Sequence, residues 1–323
     1  MTQQFLRSAR LLVGTDAGAG LDLSELRFRF LVRHNNIQTV NAAEIRVFNL
    51  APSTVQRIQK EFTRIIIIAG YEGNAAIIYS GQIKATRIGR DLSRDGFTET
   101  YIDIYGGDGD EAYNYSTVNK TLAAGHTSLD LYNSILDDMA QYGVTGGPTP
   151  NSLGTVQYPR GRACFGASRD YLRVMAQTHS ASWTIDQGQL VMLPNSTYLP
   201  GQAYAINAAT GMIGQPQQTE EGITVQMLLN PAIRVNRLLK INNADIAQIP
   251  FQLQATALNN FYSRDANGNI TNLGLDTDGV YKVTFADHRG DTRGQEWYTE
   301  VVCQGLNSMQ SISQAVLGAG VEF

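Results

Sequence analysis

The run Leu26-Arg27-Phe28-Arg29-Phe30-Leu31-Val32-Arg33 constrains this chain more than any other stretch. Apolar and cationic residues alternate along it, so a period of two buries Phe28, Phe30 and Val32 and leaves Arg27, Arg29 and Arg33 in water. A half-buried β-strand satisfies that pattern. Strand character continues through residues 43–48 and breaks at Asn49-Leu50-Ala51-Pro52-Ser53, after which Val55, Ile58 and Phe62 recur at helical spacing. A short helix opened by Pro52 and Ser53 follows from that spacing. Ile65-Ile66-Ile67-Ile68 is too short to span a membrane and too β-branched to favour a helix, and reads as a strand buried on both faces. Residues 76–90 and 97–105 form a long hairpin around Asp91–Gly96, and Gly106-Gly107-Asp108-Gly109-Asp110 ends the unit.

The middle of the chain differs. Thr127-Ser128 caps a helix carrying Leu131, Ile135, Leu136 and Met139. A second helix starts at Ser168, presents Leu172, Met175 and Ala176, and ends near His179. A hairpin follows, 181–185 and 189–193 around Asp186-Gln187-Gly188. Strand character returns with Ile223, Val225, Met227 and Leu229, then with Ile233, Val235, Leu239 and Ile241. Residues 280–286 and 296–303 make a last hairpin with a charged tip, Asp287-His288-Arg289-Gly290-Asp291. The expected fold is mainly β with an α+β insert: two tube-like β-barrels, residues 1–108 and 216–323, flanking a helix-plus-hairpin insert, 109–215.

The barrels read as copies of one unit. Lys84-Ala85-Thr86 precedes the tip of one late hairpin and Lys282-Val283-Thr284 that of the other; the hairpins end on Gly106 and Gly305. Ile45-Arg46-Val47 echoes Ile233-Arg234-Val235 in the same way.

Composition sets the function classes. The chain has 323 residues, 43% hydrophobic and 17% charged, against about 25% charged in an average globular chain. That excludes wholesale disorder. Its 25 basic and 29 acidic residues leave −4, and no basic stripe of a nucleic-acid binder stands out. The opening residues lack the apolar stretch of a secretory signal, and no run approaches the ~20 apolar residues of a membrane span. Cys164 and Cys303 match no zinc or redox spacing, so a soluble protein of a reducing compartment is expected.

Candidate chemistry is sparse. Cys164 and His179 flank one helix with no third orienting group, where a buried thiol and a helix-end histidine are the plainer reading. Gly166-Ala167-Ser168-Arg169-Asp170 lacks the second glycine of a nucleophile elbow. The histidines at 34, 126, 179 and 288 show no paired ligand spacing. Asp265, Asn267, Asn269 and Asp276 faintly suggest a calcium loop, but Ile270 stands where its glycine belongs. Asp108, Asp110 and Glu111 read as a solvated linker, and Arg289-Gly290-Asp291 as a turn. Whether a cation binds near Asp108 and Asp110 or near Asp265 stays open. No catalytic, cofactor-binding or metal residues are assigned, no cofactor is implied, and an enzyme is not expected.

Laid out this way, the chain resembles the baseplate hub proteins of tailed phages, related to the hub part of type VI secretion spikes. The resemblance rests on the order barrel, insert, barrel; on Ser168-Arg169-Asp170-Tyr171-Leu172-Arg173-Val174-Met175-Ala176 followed by the Trp183 strand and the Gly188 turn; and on the helix start His126-Thr127-Ser128-Leu129-Asp130-Leu131. It implies a homotrimeric ring that adapts a six-fold tail tube to a three-fold spike and leaves a channel for DNA, which passes without specific binding. Implied partners are the tail tube or distal tail protein, the central spike protein and the tape-measure protein, with no membrane. The implied location is the virion tail baseplate, assembled in the host cytoplasm. The longer relatives' hydrolase or spike regions have no counterpart here, so cell-wall cleavage is not implied. A tail-tip carbohydrate-binding protein, stacking sugars on some of its 15 tyrosines or on Trp183 and Trp297, is the rival reading, and a glycosidase a distant third.

Overall fold

The alternating run becomes a strand in which Phe28, Phe30 and Val32 are buried and Arg29 is exposed. The computed structural model describes residues 6–15, 18–92, 98–219, 222–242, 246, 262–264, 270–272 and 279–305. Its first segment contains β1 (Arg7–Gly14), β2 (Gly20–Asp22), β3 (Phe28–Asn35), β4 (Ala42–Phe48), α1 (Pro52–Lys60), β5 (Arg64–Tyr71), β6 (Ala76–Leu92) and β7 (Thr98–Gly107). Pro52 opens α1, where its missing N–H is no loss, and Ile58 is its buried anchor. The isoleucine run forms β5 but is not buried on both faces: Ile65 and Ile67 are fully buried, whereas Ile66 and Ile68 are only partly so. On that face their direct neighbours are Arg10, Leu12, Ile77 and Ser80.

The middle segment holds α2 (Asp110–Tyr115), β8 (Thr117–Leu122), α3 (Ser128–Ala140), β9 (Thr145–Gly146), β10 (Arg162–Ala167), α4 (Ser168–Thr178), β11 (Ala181–Asp186) and β12 (Gln189–Pro194). Thr127 caps α3 through a reciprocal box with Asp130. Ser168 does not cap α4; it is the first helical residue, and its hydroxyl bonds Ser116 Oγ at 2.7 Å. Leu131, Ile135, Met139, Leu172, Met175, Trp183, Leu190 and Met192 form one apolar cluster of this segment alone.

The last segment contains β13 (Tyr204–Ile206), β14 (Met212–Thr219), β15 (Gly222–Leu228), β16 (Leu238–Ile241), β17 (Tyr262–Arg264), β18 (Ile270–Asn272), β19 (Val280–Asp291) and β20 (Trp297–Gly305). Ile233 and Val235 are buried but lie outside any strand, because Asn230-Pro231 starts an irregular connection and only Leu238 onward pairs. The charged tip is also displaced. Arg289-Gly290-Asp291 lies inside β19, opposite Leu31, Phe30 and Arg29, and the turn comes after it.

Thirteen strands make one sheet, in the order β14-β15-β20-β19-β3-β4-β7-β6-β5-β1-β2, with β16 also pairing β19 and β13 pairing β16. Within it one strand order occurs twice. β3-β4-β7-β6-β5 and β14-β15-β20-β19-β16 follow the same path, every neighbour antiparallel. The hairpins β6–β7 and β19–β20 even share a bulge on the first strand, at Lys84 and Thr284. This fixes the correspondence. Lys84 matches Thr284, not Lys282, and Ile45-Arg46-Val47 matches Val225-Gln226-Met227, not Ile233-Arg234-Val235. Buried residues coincide accordingly: Ala43, Ile45 and Val47 with Ile223, Val225 and Met227. Two cores underlie the sheet. One gathers the last segment's Ile223, Val225, Tyr281 and Val301. The other gathers Phe28, Phe30, Ile65 and Ile102 with Leu229 and Trp297, so the third segment helps to complete the core of the first.

Candidate functional site

The sheet presents one continuous polar face across both repeats. Alternation places Arg29, Glu44, Arg46, Asp103 and Arg87 on it from the first repeat. Asp287, Arg289, Asp291, Glu300 and Gln226 continue it through the second. Cations on this face have carboxylates at hand. Arg46 Nε lies 2.7 Å from Asp103 Oδ1, Arg27 Nη1 3.4 Å from Glu99 Oε2, and Arg33 Nη1 3.6 Å from Glu44 Oε1. Arg29, Arg46, Glu44, Tyr105 and Arg289 ring a hollow of about 260 Å³.

Asp291 joins the repeats. Its carboxylate takes Arg29 Nε at 2.8 Å and Arg27 Nη2 at 3.0 Å from the other repeat. Burial alone would push this carboxyl up, but the hydrogen bonds from Arg27, the Arg293 N–H and Arg29 outweigh it and hold it at about 2. Trp297 sits near that joint, edge-on to Phe30 with centroids 5.5 Å apart, and donates its indole N–H to the Gly70 carbonyl at 3.2 Å.

Behind the sheet, a buried polar seam ties the insert hairpin to both repeats. Asp108 accepts the backbone N–H of Gly188 at 2.9 Å and that of Gln187. Asp108 is therefore no solvated linker residue; only 3% of it is exposed. Burial and the nearby Asp186 charge push its carboxyl up to about 7, against the pull of those two N–H groups. His34 Nε2 meets the Ile78 carbonyl at 2.8 Å, and its Nδ1 lies 3.5 Å from Asp186 Oδ1. Burial disfavours the imidazolium, yet Asp186 prevails and raises its affinity for a proton. His288, edge-on to His34 and bonded to Thr299 Oγ1 at 2.8 Å, is driven down to about 3 by burial and by the His34 and Arg234 charges. Arg234 donates to Gln187 Oε1 at 3.2 Å from the second repeat. A histidine–aspartate pair invites comparison with an acid–base dyad, but the hollow beside it is about 10 Å³, room for about one water and no substrate. The seam is a joint.

The other residues singled out in the sequence are scattered. Cys164 is packed in the apolar insert core, whereas His179 Nε2 bonds Ser128 Oγ at 3.0 Å. Asp110 opens α2 and pairs with Lys84 at 3.0 Å. Asp265, Asn267, Asn269 and Asp276 lie outside the described residues. Among the described residues no group of three or more His, Cys, Asp or Glu is placed to hold a metal, and no helix is long and apolar enough to cross a membrane. Trp183 and Trp297 are both buried, so neither offers a ring to a sugar. Sequence reasoning found the arginine row but missed its partners. The signal was present in Glu99-Thr100-Tyr101-Ile102-Asp103, whose acids alternate in phase with those arginines.

Residues 156–245 match the protein-family model described as Baseplate hub gp41. The chain resembles a baseplate hub. Its fold is that of the 43 kDa tail protein of prophage MuSo2 from Shewanella oneidensis, at a TM-score of 0.58 and 8% identity over 94% of this chain and 98% of that one. A tail protein from Neisseria meningitidis MC58 is similar at 0.53 and 10% identity, over 93% and 97%. An Escherichia coli component of the type VI secretion system, described as structurally similar to T4 bacteriophage tail proteins, is similar at 0.50 and 10% identity, over 93% and 77%. No curated protein matches the chain. The hub resemblance read from the sequence is borne out, and the matches support a structural role in a phage tail or baseplate.

Proposed function

We propose that this protein is the structural hub of a tailed-phage baseplate: a homotrimeric ring that adapts the six-fold tail tube to a three-fold spike around a DNA channel. The observation that carries this reading is the strand order that occurs twice. Three chains then present six similar sheet units, which six tube subunits can meet through one kind of contact. Residues 1–108 and 216–323 supply the two tube-like units, each closing into a barrel-like wall within the ring, and 109–215 the outer insert. The polar sheet face lines the channel. Its arginines are matched by carboxylates, so a passing phosphate backbone finds few uncompensated cations to exchange for its counterions. Tail tube or distal tail protein, spike and tape-measure protein meet the ends of the ring, and the role requires no catalysis.

Mass photometry and negative-stain microscopy of the purified protein test the reading. The expected result is a ring of three times the 35.4 kDa chain mass. A monomer that persists at high concentration and binds a glycan array would instead establish the tail-tip carbohydrate-binding reading.

A further inference from the structure

The two repeats differ in one edge. In each, the lower half of the long strand is covered on its outer side: Gln82 and the residues before it pair with β5, and Val280–Lys282 pair with β16. Beyond the bulge the repeats part. Phe285–Asp291 of β19 pair with β3 of the other repeat, from Asn35 to Arg29. Their counterparts, Ala85–Asp91 of β6, pair with β7 on one side, and among the described residues no strand takes the other side. Side chains do reach this segment: Gln59 Nε2 lies 3.4 Å from Thr86 Oγ1, and Arg46 lies 3.5 Å from Asp91.

An open edge of this length is a site for strand addition. Side-chain phase shows what it is shaped for. Ile88 corresponds to His288 and points to the core side of the sheet, opposite the buried Ile102. His288 is 2% exposed, whereas Ile88 is 55% exposed. An isoleucine in core phase at an open edge lacks the cover that β3 gives its counterpart. Arg87 and Arg90 alone would suit a merely protected edge.

The same correspondence names the occupant. β14 matches β3 and is the last strand of the sheet path at its other end. We infer that Ala85–Asp91 of one copy is a docking edge for β14 of a second copy, repeating between chains the joint that β19 and β3 make within one. This deepens the hub reading and rests on it. By transfer of the internal register, Arg87 faces Thr219 and Gly89 faces Gln217. The joint is shorter than its internal model, because Gly214-Gln215-Pro216 bulge out of register with β15. Head-to-tail repetition of one such contact closes a ring when its rotation permits.

Cross-linking tests the edge. With Arg87→Cys and Thr219→Cys on one chain, the directly opposed positions fall within disulfide reach, and the native Cys164 and Cys303 are buried. Mild oxidation should give covalent dimers and trimers on a non-reducing gel, with none from either single variant. Ile88→Asp should shift the ring towards monomer by at least tenfold in dissociation constant while the monomer keeps its circular-dichroism spectrum. Rings that persist with Ile88→Asp and do not cross-link would overturn the edge and leave the hub reading standing. Absence of any ring from the unaltered protein would overturn both.

Discussion

The two repeats reach the same strand order with different surroundings, and equivalent positions separate what the strand pattern dictates from what neighbours add. Asp91 and Asp291 occupy matched sites on β6 and β19. The first has a half-exposed side chain and lies 3.5 Å from Arg46; the second is 4% exposed and clamped by two arginines of the other repeat. Thr100 and Trp297 are likewise matched, yet Thr100 is exposed and Trp297 is enclosed by Phe30 and Gly70. Alternation decides which face a residue occupies. The strand laid across it decides how much that position contributes.

The largest difference should appear at that second pair. Trp297→Ala is expected to cost about 3–5 kcal/mol, because it empties a large buried site in the shared core. Thr100→Ala should stay within about 0.5 kcal/mol, as exposed positions do. Urea unfolding of both variants measures the contrast, and equal losses would show that the two repeats do not share a core. The insert provides a control. Leu172→Ala should cost about 2–5 kcal/mol. Because Trp183 lies in the insert cluster and Trp297 in the shared one, single-tryptophan variants can report the two cores separately. A loss well under 1 kcal/mol would mean that α4 does not seal that cluster.

Much of this was legible from the sequence. β3, β4 and both long hairpins followed from period-two patterning, and α3 and α4 from helical spacing with a cap at Thr127. β14 was not legible, because Gly214 and Pro216 interrupt its pattern and its register with β15 slips there. The end of the last hairpin was misplaced because Asp287-His288-Arg289-Gly290-Asp291 looks like turn chemistry, while β3 alongside turns it into strand. The seam escaped for another reason. His34, Asp108, Asp186 and His288 are distant in sequence and no local spacing joins them; only the docking of the insert hairpin brings them together.

A middle-sized effect belongs to the aspartates. Asp291→Asn removes charged hydrogen bonds to two arginines and should cost about 1.5–3 kcal/mol, whereas Asp91→Asn, at an exposed pair, should cost under about 1 kcal/mol. Acid titration sharpens the test. The Asp291 carboxyl is held at about 2, below its ordinary 3.8, so its contribution is complete above the unfolded value and disappears as pH falls from about 4 to about 2. Stability of the unaltered protein should drop across that window, and Asp291→Asn should flatten the drop while Asp91→Asn leaves it intact. An unchanged slope in Asp291→Asn would assign the acid sensitivity elsewhere.

The smallest expected effect is the most discriminating. Ile88 and His288 share a phase and a place in the repeat, so a polar residue at either tests the cover above it. At 288 that cover is β3 of the same chain, and His288→Asp buries a carboxylate beside Thr299 in a site where the neighbouring His34 is already engaged by Asp186. It should destabilise the chain by more than about 2 kcal/mol. At 88 no strand among the described residues offers such cover, and Ile88→Asp should change monomer unfolding by no more than about 0.5 kcal/mol. Its effect would surface in assembly instead. Urea titrations at protein concentrations below and above ring formation separate the two. A loss of several kcal/mol at low concentration would mean that the monomer already covers this edge, and the difference between the repeats would be smaller than the strand order implies.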